Sequence, residues 1–337
     1  MNYEELMLRA ITKAKEYKYT AKPNPVVGAI IVNENENEII SEGYHEKYGE
    51  NHAEVNAIKE AYNHQGKKFQ SFSELTLICT LEPCSHVGKT GSCAKHIVKT
   101  GFKKVIIGAI DPNPKVAGQG IKILENNNIK VEVGLFEDLI QKQNKFFFYK
   151  HKNNKPYITV KIASSLDGKS HYENKKVFIT SESSRNDVQK IRANYDAILT
   201  GGNTLRIDEP KMDARVDFKV NQAKKILLTS KSHNNELDFF NNASVDIFQI
   251  NDLNKIINSY KDSEICSILV EAGPNLVNAF LNEGIVDELI VYTSTKILGE
   301  KGVNWFDGNN TIENYGFKLE SSYKINTDTK EIFKKDE

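Results

Sequence analysis

Short apolar runs of strand length alternate with segments of helical spacing twice along this chain. A stretch without one apolar residue, Lys150 to Lys155, separates the two series. In the first series, Leu6, Met7, Ala10, Ile11 and Ala14 give residues 4 to 17 the period of an amphipathic helix. Pro23-Asn24-Pro25 ends it, and strands follow at Val26 to Val32, Ile39 to Tyr44, 75 to 81, 104 to 109 and 129 to 133. Helices are predicted over His52 to Tyr62, 93 to 100 and 119 to 127. The second series predicts strands 157 to 163, 196 to 200, 225 to 229, 245 to 250, 265 to 270 and 287 to 293, with helices 181 to 193, 252 to 260 and 274 to 283. Such alternation implies an α/β chain with mostly parallel sheets covered by helices on both faces. The first two strands, joined by a short polar turn, are expected as an antiparallel hairpin. At 337 residues the chain exceeds one ordinary core. Two domains, 1–149 and 150–337, are expected, with the Phe146-Phe147-Phe148-Tyr149 cluster closing the first and 150 to 155 as linker. No internal repeat relates the halves.

The 45 Lys and Arg balance 45 Asp and Glu, so no global field recruits nucleic acid or an acidic membrane. Small molecules are the expected partners, and a homo-oligomer the expected assembly. No apolar run reaches the ~18 residues that span a bilayer, and Met1-Asn2-Tyr3-Glu4-Glu5 lacks the pattern of a signal peptide. Four cysteines make no disulfide framework, which points to the cytoplasm. Cys79 and Cys266 lie inside apolar runs and read as core thiols.

The other two cysteines read differently. His52-Ala53-Glu54 is followed thirty residues on by Pro83-Cys84, and eight residues separate Cys84 from Cys93. One imidazole and two thiolates are three ligands for Zn²⁺, leaving the fourth tetrahedral position to water, as catalytic zinc sites do. Zinc lowers the pKa of such a water from ~15.7 towards ~7. A carboxylate two residues from the ligand histidine can carry its proton to a leaving amine. This is the pattern of zinc-dependent nucleobase deaminases, although their cysteines usually stand two residues apart. Reading Cys84 and Cys93 as buried thiols and His52 as a core residue is the alternative, and it leaves Glu54 without a role.

The chain resembles the bifunctional pyrimidine deaminases and reductases of riboflavin biosynthesis over nearly its whole length. The first half carries Pro23-Asn24-Pro25-x-Val27-Gly28, Gly43-Tyr44-His45, His52-Ala53-Glu54-Val55, Thr80-Leu81-Glu82-Pro83-Cys84-Ser85-His86 and Asp111-Pro112-Asn113-Pro114. The second carries Ala163-x-Ser165-Leu166-Asp167-Gly168-Lys169, Arg192-Ala193-x-x-Asp196-Ala197-Ile198 and Val270-Glu271-Ala272-Gly273-Pro274. The spacing of Cys93 is the one this family uses. The resemblance implies a cytidine-deaminase-like three-layer α/β/α domain followed by a dihydrofolate-reductase-like α/β domain. It implies zinc on His52, Cys84 and Cys93, with Glu54 as proton shuttle. The implied substrate is a 2,5-diamino-6-(phosphoribosylamino)pyrimidinone that loses its 2-amino group and is then reduced by NADPH from ribosyl to ribityl. Asn24 and His45 are implied substrate contacts, although Asn24 also reads as a shaper of its own turn. His45, His86, Lys89 and the Asp111 to Gly120 loop are expected as neighbours of the ribose phosphate, although His86 also reads as a solvent-facing or supporting ring.

For the reductase half the resemblance implies cofactor contacts at Ala163, Phe178, Thr204, Asp208, Gly273, Pro274 and Asn275. It implies substrate contacts at Lys176, Arg192, Met212, Arg215 and Glu271. No G-x-G-x-x-G fingerprint exists in the chain, but a helix starting at Pro274 aims backbone N–H groups and its positive dipole end at a pyrophosphate. Arg192 and Arg215 are expected on the substrate phosphate and Glu271 on the sugar, the alternative for each arginine being a surface ion pair. Three departures from the family bear on this half: Lys176 replaces a small hydroxyl residue, Phe178 a tryptophan, and Asp213 a threonine. An active deaminase with a decayed reductase domain is therefore the rival reading. A tRNA or nucleoside deaminase fused to a binding module is a third, against which the balanced charge argues.

Overall fold

All seven residues of the strand Leu75–Leu81 are buried, as an apolar run without polar alternation requires of a strand covered on both faces. The computed structural model describes residues 1–63, 71–85, 91–114, 116–173, 177–249, 252–308 and 311–335. The chain divides into two units, Met1–Asn153 and Asn154–Glu337.

In the first unit β1 (Gly28–Asn33), β2 (Glu38–Tyr44), β3 (Leu75–Leu81), β4 (Lys104–Ala109) and β5 (Lys130–Val133) form one sheet in the order β2-β1-β3-β4-β5. The expected hairpin is there, with β1 antiparallel to β2. β1 is also antiparallel to β3, while β3, β4 and β5 are parallel. The sheet is therefore mixed rather than mostly parallel. Helix Ala53–Asn63 carries the chain from β2 to β3, which run the same way, and β1 lies between them in the opposite sense. Strand alternation sorts the core into two layers. Ala29, Ile31, Leu77, Cys79, Val105 and Ile107 meet Ala53, Ala57, Ile58, Ala94, Ile97 and Leu124 on one face. Ile30, Val32, Ile78 and Ile106 meet Leu6, Met7, Ala10 and Ile140 on the other. Phe147 and Phe148 pack against this second layer. The segment expected as a linker from Lys150 is helical through Asn153, and Lys150 is buried. The break thus falls after Asn153 and not after residue 149, because the helix bearing the aromatic cluster continues until its face is covered.

The second unit builds an eight-stranded sheet from β6 (Tyr157–Ser164), β8 (Ala197–Gly201), β9 (Lys224–Leu228), β10 (Val245–Phe248), β11 (Ser267–Val270), β12 (Glu288–Thr293), β14 (Phe317–Ile325) and β15 (Asp328–Lys335); β7 (Lys169–Tyr172) pairs with β13 (Gly302–Asn304) apart from it. The order is β10-β9-β8-β11-β6-β12-β15-β14. The first six run parallel, and the hairpin β14-β15 closes the edge antiparallel. The hairpin gave no apolar run in the sequence because lysines and glutamates, Lys318, Glu320, Lys330 and Lys334 among them, occupy its positions. Helix Gly202–Asp208 was equally silent, for Leu205 is its one buried large side chain.

Gly43 fixes how closely the helix bearing Glu54 approaches β2. A methyl group there would lie 2.1 Å from Ala57 N and 2.3 Å from Ala53 O. Gly43→Ala is expected to destabilise the first unit by about 1–3 kcal/mol, as overpacking does, and to lower its zinc content. Thermal unfolding with elemental analysis checks both, and an unchanged midpoint refutes the close-packing argument.

Candidate active sites

Two strand-to-helix connections, one after β2 and one after β3, bring His52, Cys84 and Cys93 together. His52 immediately precedes helix Ala53–Asn63, and Cys93 is the first residue of helix Cys93–Thr100. Ser92 caps that helix, accepting from Lys95 N, and its hydroxyl donates to Cys84 O at 3.0 Å. Ala94 N donates to the same carbonyl at 3.1 Å, and Cys93 N donates to Cys84 Sγ at 3.3 Å. The free N–H groups of a helix start are thus used on Cys84, backbone and sulfur alike. His52 Nδ1 lies 3.6 Å from Cys84 Sγ and 3.3 Å from Cys93 Sγ, and all three donors lie within 4.8 Å of one another. A tetrahedron with the usual Zn–S and Zn–N bond lengths has an S···N edge of about 3.5 Å. The donor set fits zinc in chemistry and in spacing.

The hydrogen bond with the Cys93 thiol, helped by His52, brings Cys84 down to about 4, while its partner Cys93 is held up. Glu54 is buried, and burial raises its carboxyl, which suits a group that must take and return a proton near neutrality. Burial pushes His45 down. Its Nε2 stands 3.1 Å from Asn24 Nδ2 and its Nδ1 3.0 Å from Asn51 O. Those partners assign a neutral ring protonated at Nδ1 that accepts from Asn24. The His45 ring meets His52 edge-on, with centroids 5.5 Å apart. Asn24, His45, His52, Glu54 and both cysteines therefore form one group. His86 and Lys89 lie outside the described residues.

Sequence reasoning named Glu82 as part of a motif without giving it work. Its buried carboxylate accepts four backbone N–H groups: Asp111 at 3.2 Å, Gly118 at 3.0 Å, Gly120 at 2.9 Å and Ile121 at 3.3 Å. The expected 111–120 loop is thereby tied to the residue two before Cys84. Burial lifts Asp111 in that loop to about 7.

In the second unit, parallel neighbours β8 and β11 each lead into a helix, Gly202–Asp208 and Pro274–Asn282. Thr204 and Gly273 face each other there, a Cβ on Gly273 falling 3.8 Å from the Thr204 hydroxyl. Pro274 opens its helix and Asn275 follows it, exposed. Arg192 grips Glu271 with two bonds, 2.6 Å from Nε and 3.0 Å from its second terminal nitrogen. Lys161 reaches the same carboxylate at 3.0 Å. Burial alone would raise Glu271, yet Arg192 and Lys161 outweigh it and hold the carboxyl at about 2. Arg192 also donates to Asp213 O at 3.4 Å and to Met212 Sδ at 3.6 Å. Asp213 meets the fully enclosed Lys225 at 2.7 Å, whose ammonium also donates to Phe239 O and Asn241 O at 2.8 Å. Arg215 is exposed, and burial and the Arg192 charge lower its pKa. Glu209 and Met212 take left-handed backbone, φ 45° and 55°, strain of the kind that collects at binding loops.

Arg192 and Glu271 were expected on substrate phosphate and sugar, and the structure binds them first to each other. Asp208 ends its helix at the head of this loop. Ala163 is half-buried on β6 opposite Tyr292. Phe178 is exposed, with the Arg185 guanidinium 4.4 Å from its ring centroid. Lys176 lies outside the described residues. Lys161 was missed, although a lysine inside the apolar run Tyr157 to Ile162 was the signal for it.

Residues 156–330 match the family model of the RibD C-terminal domain, and residues 1–109 that of the cytidine and deoxycytidylate deaminase zinc-binding region. The chain is 35% identical to a riboflavin biosynthesis protein RibD of Buchnera aphidicola over 98% of its own length and 97% of the relative's. It is 34% identical to RibD of Escherichia coli over 89% of each. Among solved structures, RibD of Acinetobacter baumannii superposes with a TM-score of 0.88 at 32% identity, covering 99% of both chains. A diaminohydroxyphosphoribosylaminopyrimidine deaminase/5-amino-6-(5-phosphoribosylamino)uracil reductase of Thermotoga maritima gives 0.82 at 30% identity, again over 99% of both.

Zinc binds thiolate sulfur, and the hydrogen bond to Cys84 together with burial favours the protonated form of Cys93, so zinc uptake is expected to displace a proton there. Zinc affinity is expected to rise about tenfold per pH unit for each proton displaced, with at least one released. Calorimetry in buffers of different ionisation enthalpy counts the protons, and none released contradicts the arrangement.

Proposed function

We infer, for a chain that belongs to the RibD family of riboflavin biosynthesis, that the first unit deaminates a phosphoribosylated diaminopyrimidinone at His52, Cys84, Cys93 and Glu54, and that the second reduces its sugar at the Arg192–Glu271–Lys161 cluster. The chain is a bifunctional deaminase and reductase that uses zinc and NADPH. The single observation that carries the residue assignment is the spacing of two sulfurs and one ring nitrogen within 4.8 Å, beside a buried carboxyl.

Zinc, when bound by those three donors, supplies an acidified water and polarises it. Glu54 would take one proton from the water and hand it to the ring nitrogen, then take the second from the hydroxyl added to the ring carbon and hand it to the amine that leaves as ammonia; burial, which raises its carboxyl, favours the form that returns a proton. Asn24, whose amide nitrogen is engaged by His45, offers its oxygen to a donor on the pyrimidine edge. Asp111 belongs to the loop that Glu82 holds, which the resemblance sets near the ribose phosphate.

NADPH supplies the hydride in the second unit. The helix beginning at Pro274 and the Thr204 turn would hold its phosphates, and Ala163, Phe178, Asp208 and Asn275 would be further contacts by resemblance. Glu271 orients the sugar, and Arg192 and Lys161 leave the cluster with one positive charge in excess, which with Arg215 draws the substrate phosphate. Met212 accepts from Arg192 through its sulfur, and Lys176 is a further substrate contact on the resemblance alone. The intact buried cluster supports a working reductase against the alternative of a decayed one. No helix among the described residues is long and apolar enough to cross a membrane. Balanced charge and free cysteines support a cytoplasmic enzyme of small molecules, and a homo-oligomer is the assembly we propose.

Glu54→Gln is expected to keep zinc and lose deamination by about 10²–10⁴-fold, while NADPH oxidation on the deaminated intermediate, followed at 340 nm, continues. Loss of both activities in folded protein contradicts two separate sites. Arg215→Ala is expected to raise KM for the phosphorylated intermediate about tenfold without weakening NADPH binding; an unchanged KM removes Arg215 from the phosphate site.

A further inference from the structure

Val26 and Val27 precede the first ladder pair of β1, Gly28 with Tyr44, and Val26 is already buried there. Gly28 N donates to Thr80 Oγ1 at 3.1 Å, and Val27 O accepts from His45 N at 3.0 Å. Val26 is served by one side chain from far along the chain. Asn144 Oδ1 accepts from Val26 N at 2.8 Å, and Asn144 Nδ2 donates to Val26 O at 3.2 Å. A primary amide offering acceptor and donor together does for Val26 what a neighbouring strand's peptide would do. Asn144 is itself buried and fixed between helices Glu137–Gln143 and Lys145–Asn153, with its own N–H on Ile140 O.

Two residues before Val26 stands Asn24, flanked by Pro23 and Pro25, so the chain between them has few torsions to absorb a shift. Asn24 in turn holds His45, whose ring abuts His52. We propose that Asn144 is a positioning residue for the deaminase: by gripping both backbone groups of Val26 it sets the height of the Asn24 amide and hence recognition of the pyrimidine edge. The inference rests on the reading of Asn24 as a substrate contact. Neither metal ligation nor the proton shuttle runs through Asn144, so its loss should fall on substrate binding.

The test is a cycle of Asn24→Ala, Asn144→Ala and the double variant in the full chain, with zinc content, reductase rate and deaminase KM and kcat measured for each. Asn144→Ala should keep full zinc and reductase activity, change kcat by less than about threefold, and raise KM about tenfold or more. The double variant should bind no worse than Asn24→Ala alone, because the second loss then acts through an amide already gone. KM effects that multiply in the double variant, or an unchanged KM in Asn144→Ala when Asn24→Ala raises it, overturn the proposal. Asn24→Ala leaving KM unchanged overturns instead the reading of Asn24. If Asn144→Ala loses zinc, Asn144→Ser, whose hydroxyl can meet one of the two Val26 groups, gives the same comparison.

Discussion

The start of one short helix, bonded to a cysteine nine residues earlier, is what the deaminase half depends on. Cys84 stands just past β3, where a single residue's sulfur and carbonyl receive three bonds from Ser92, Cys93 and Ala94. That arrangement makes the separation of the two cysteines along the chain irrelevant, since helix geometry and not loop length sets the sulfur-to-sulfur distance. Glu82 extends the same logic on the other side of Pro83: a carboxylate satisfied by four amides holds a whole loop as firmly as a strand partner could. The metal ligands are thus backed by backbone groups with nowhere else to bond, the kind of support that keeps a donor set at a fixed spacing.

The reductase half is organised by charge instead. Glu271, enclosed and flanked by Arg192 and Lys161, is a carboxylate whose ionised form is secured by two cations, with hydrogen bonds offsetting the desolvation of all three. Such a cluster is rigid and electropositive overall. The positive-φ residues Glu209 and Met212 shape the 208–215 loop, which meets it through Met212 and Asp213, so strained backbone on one side adjoins saturated ion pairs on the other.

Much of this was legible beforehand. Strands 75–81 and 104–109 and helix 93–100 were placed to the residue, because continuous apolar runs and a glycine stop leave little freedom. The convergence of His52, Cys84 and Cys93 on one point beside the buried Glu54 was readable since these residue types have few other reasons to share one pattern. What escaped detection was long-range and polar. Asn144 and Glu82 act on backbone, which has no letter in a sequence, and Lys161 acts on a residue more than a hundred positions away. The mixed direction of the first sheet depends on which strand slips between two others, and hydrophobic period says nothing about that. The C-terminal hairpin eluded reading because its edge position lets charged side chains point outward at most positions. In the reductase half, resemblance named Arg192 and Glu271 but could not tell that they are each other's partners.

Lys225 is wholly enclosed and its ammonium rests on Asp213, at the position where the resembled family carries threonine. Exchanging either one alone would strand a buried charge, at a cost of about 3–5 kcal/mol. The two residues are therefore tied to each other across the fold: grafting a loop with threonine at 213 into this scaffold would leave the enclosed Lys225 without its carboxylate.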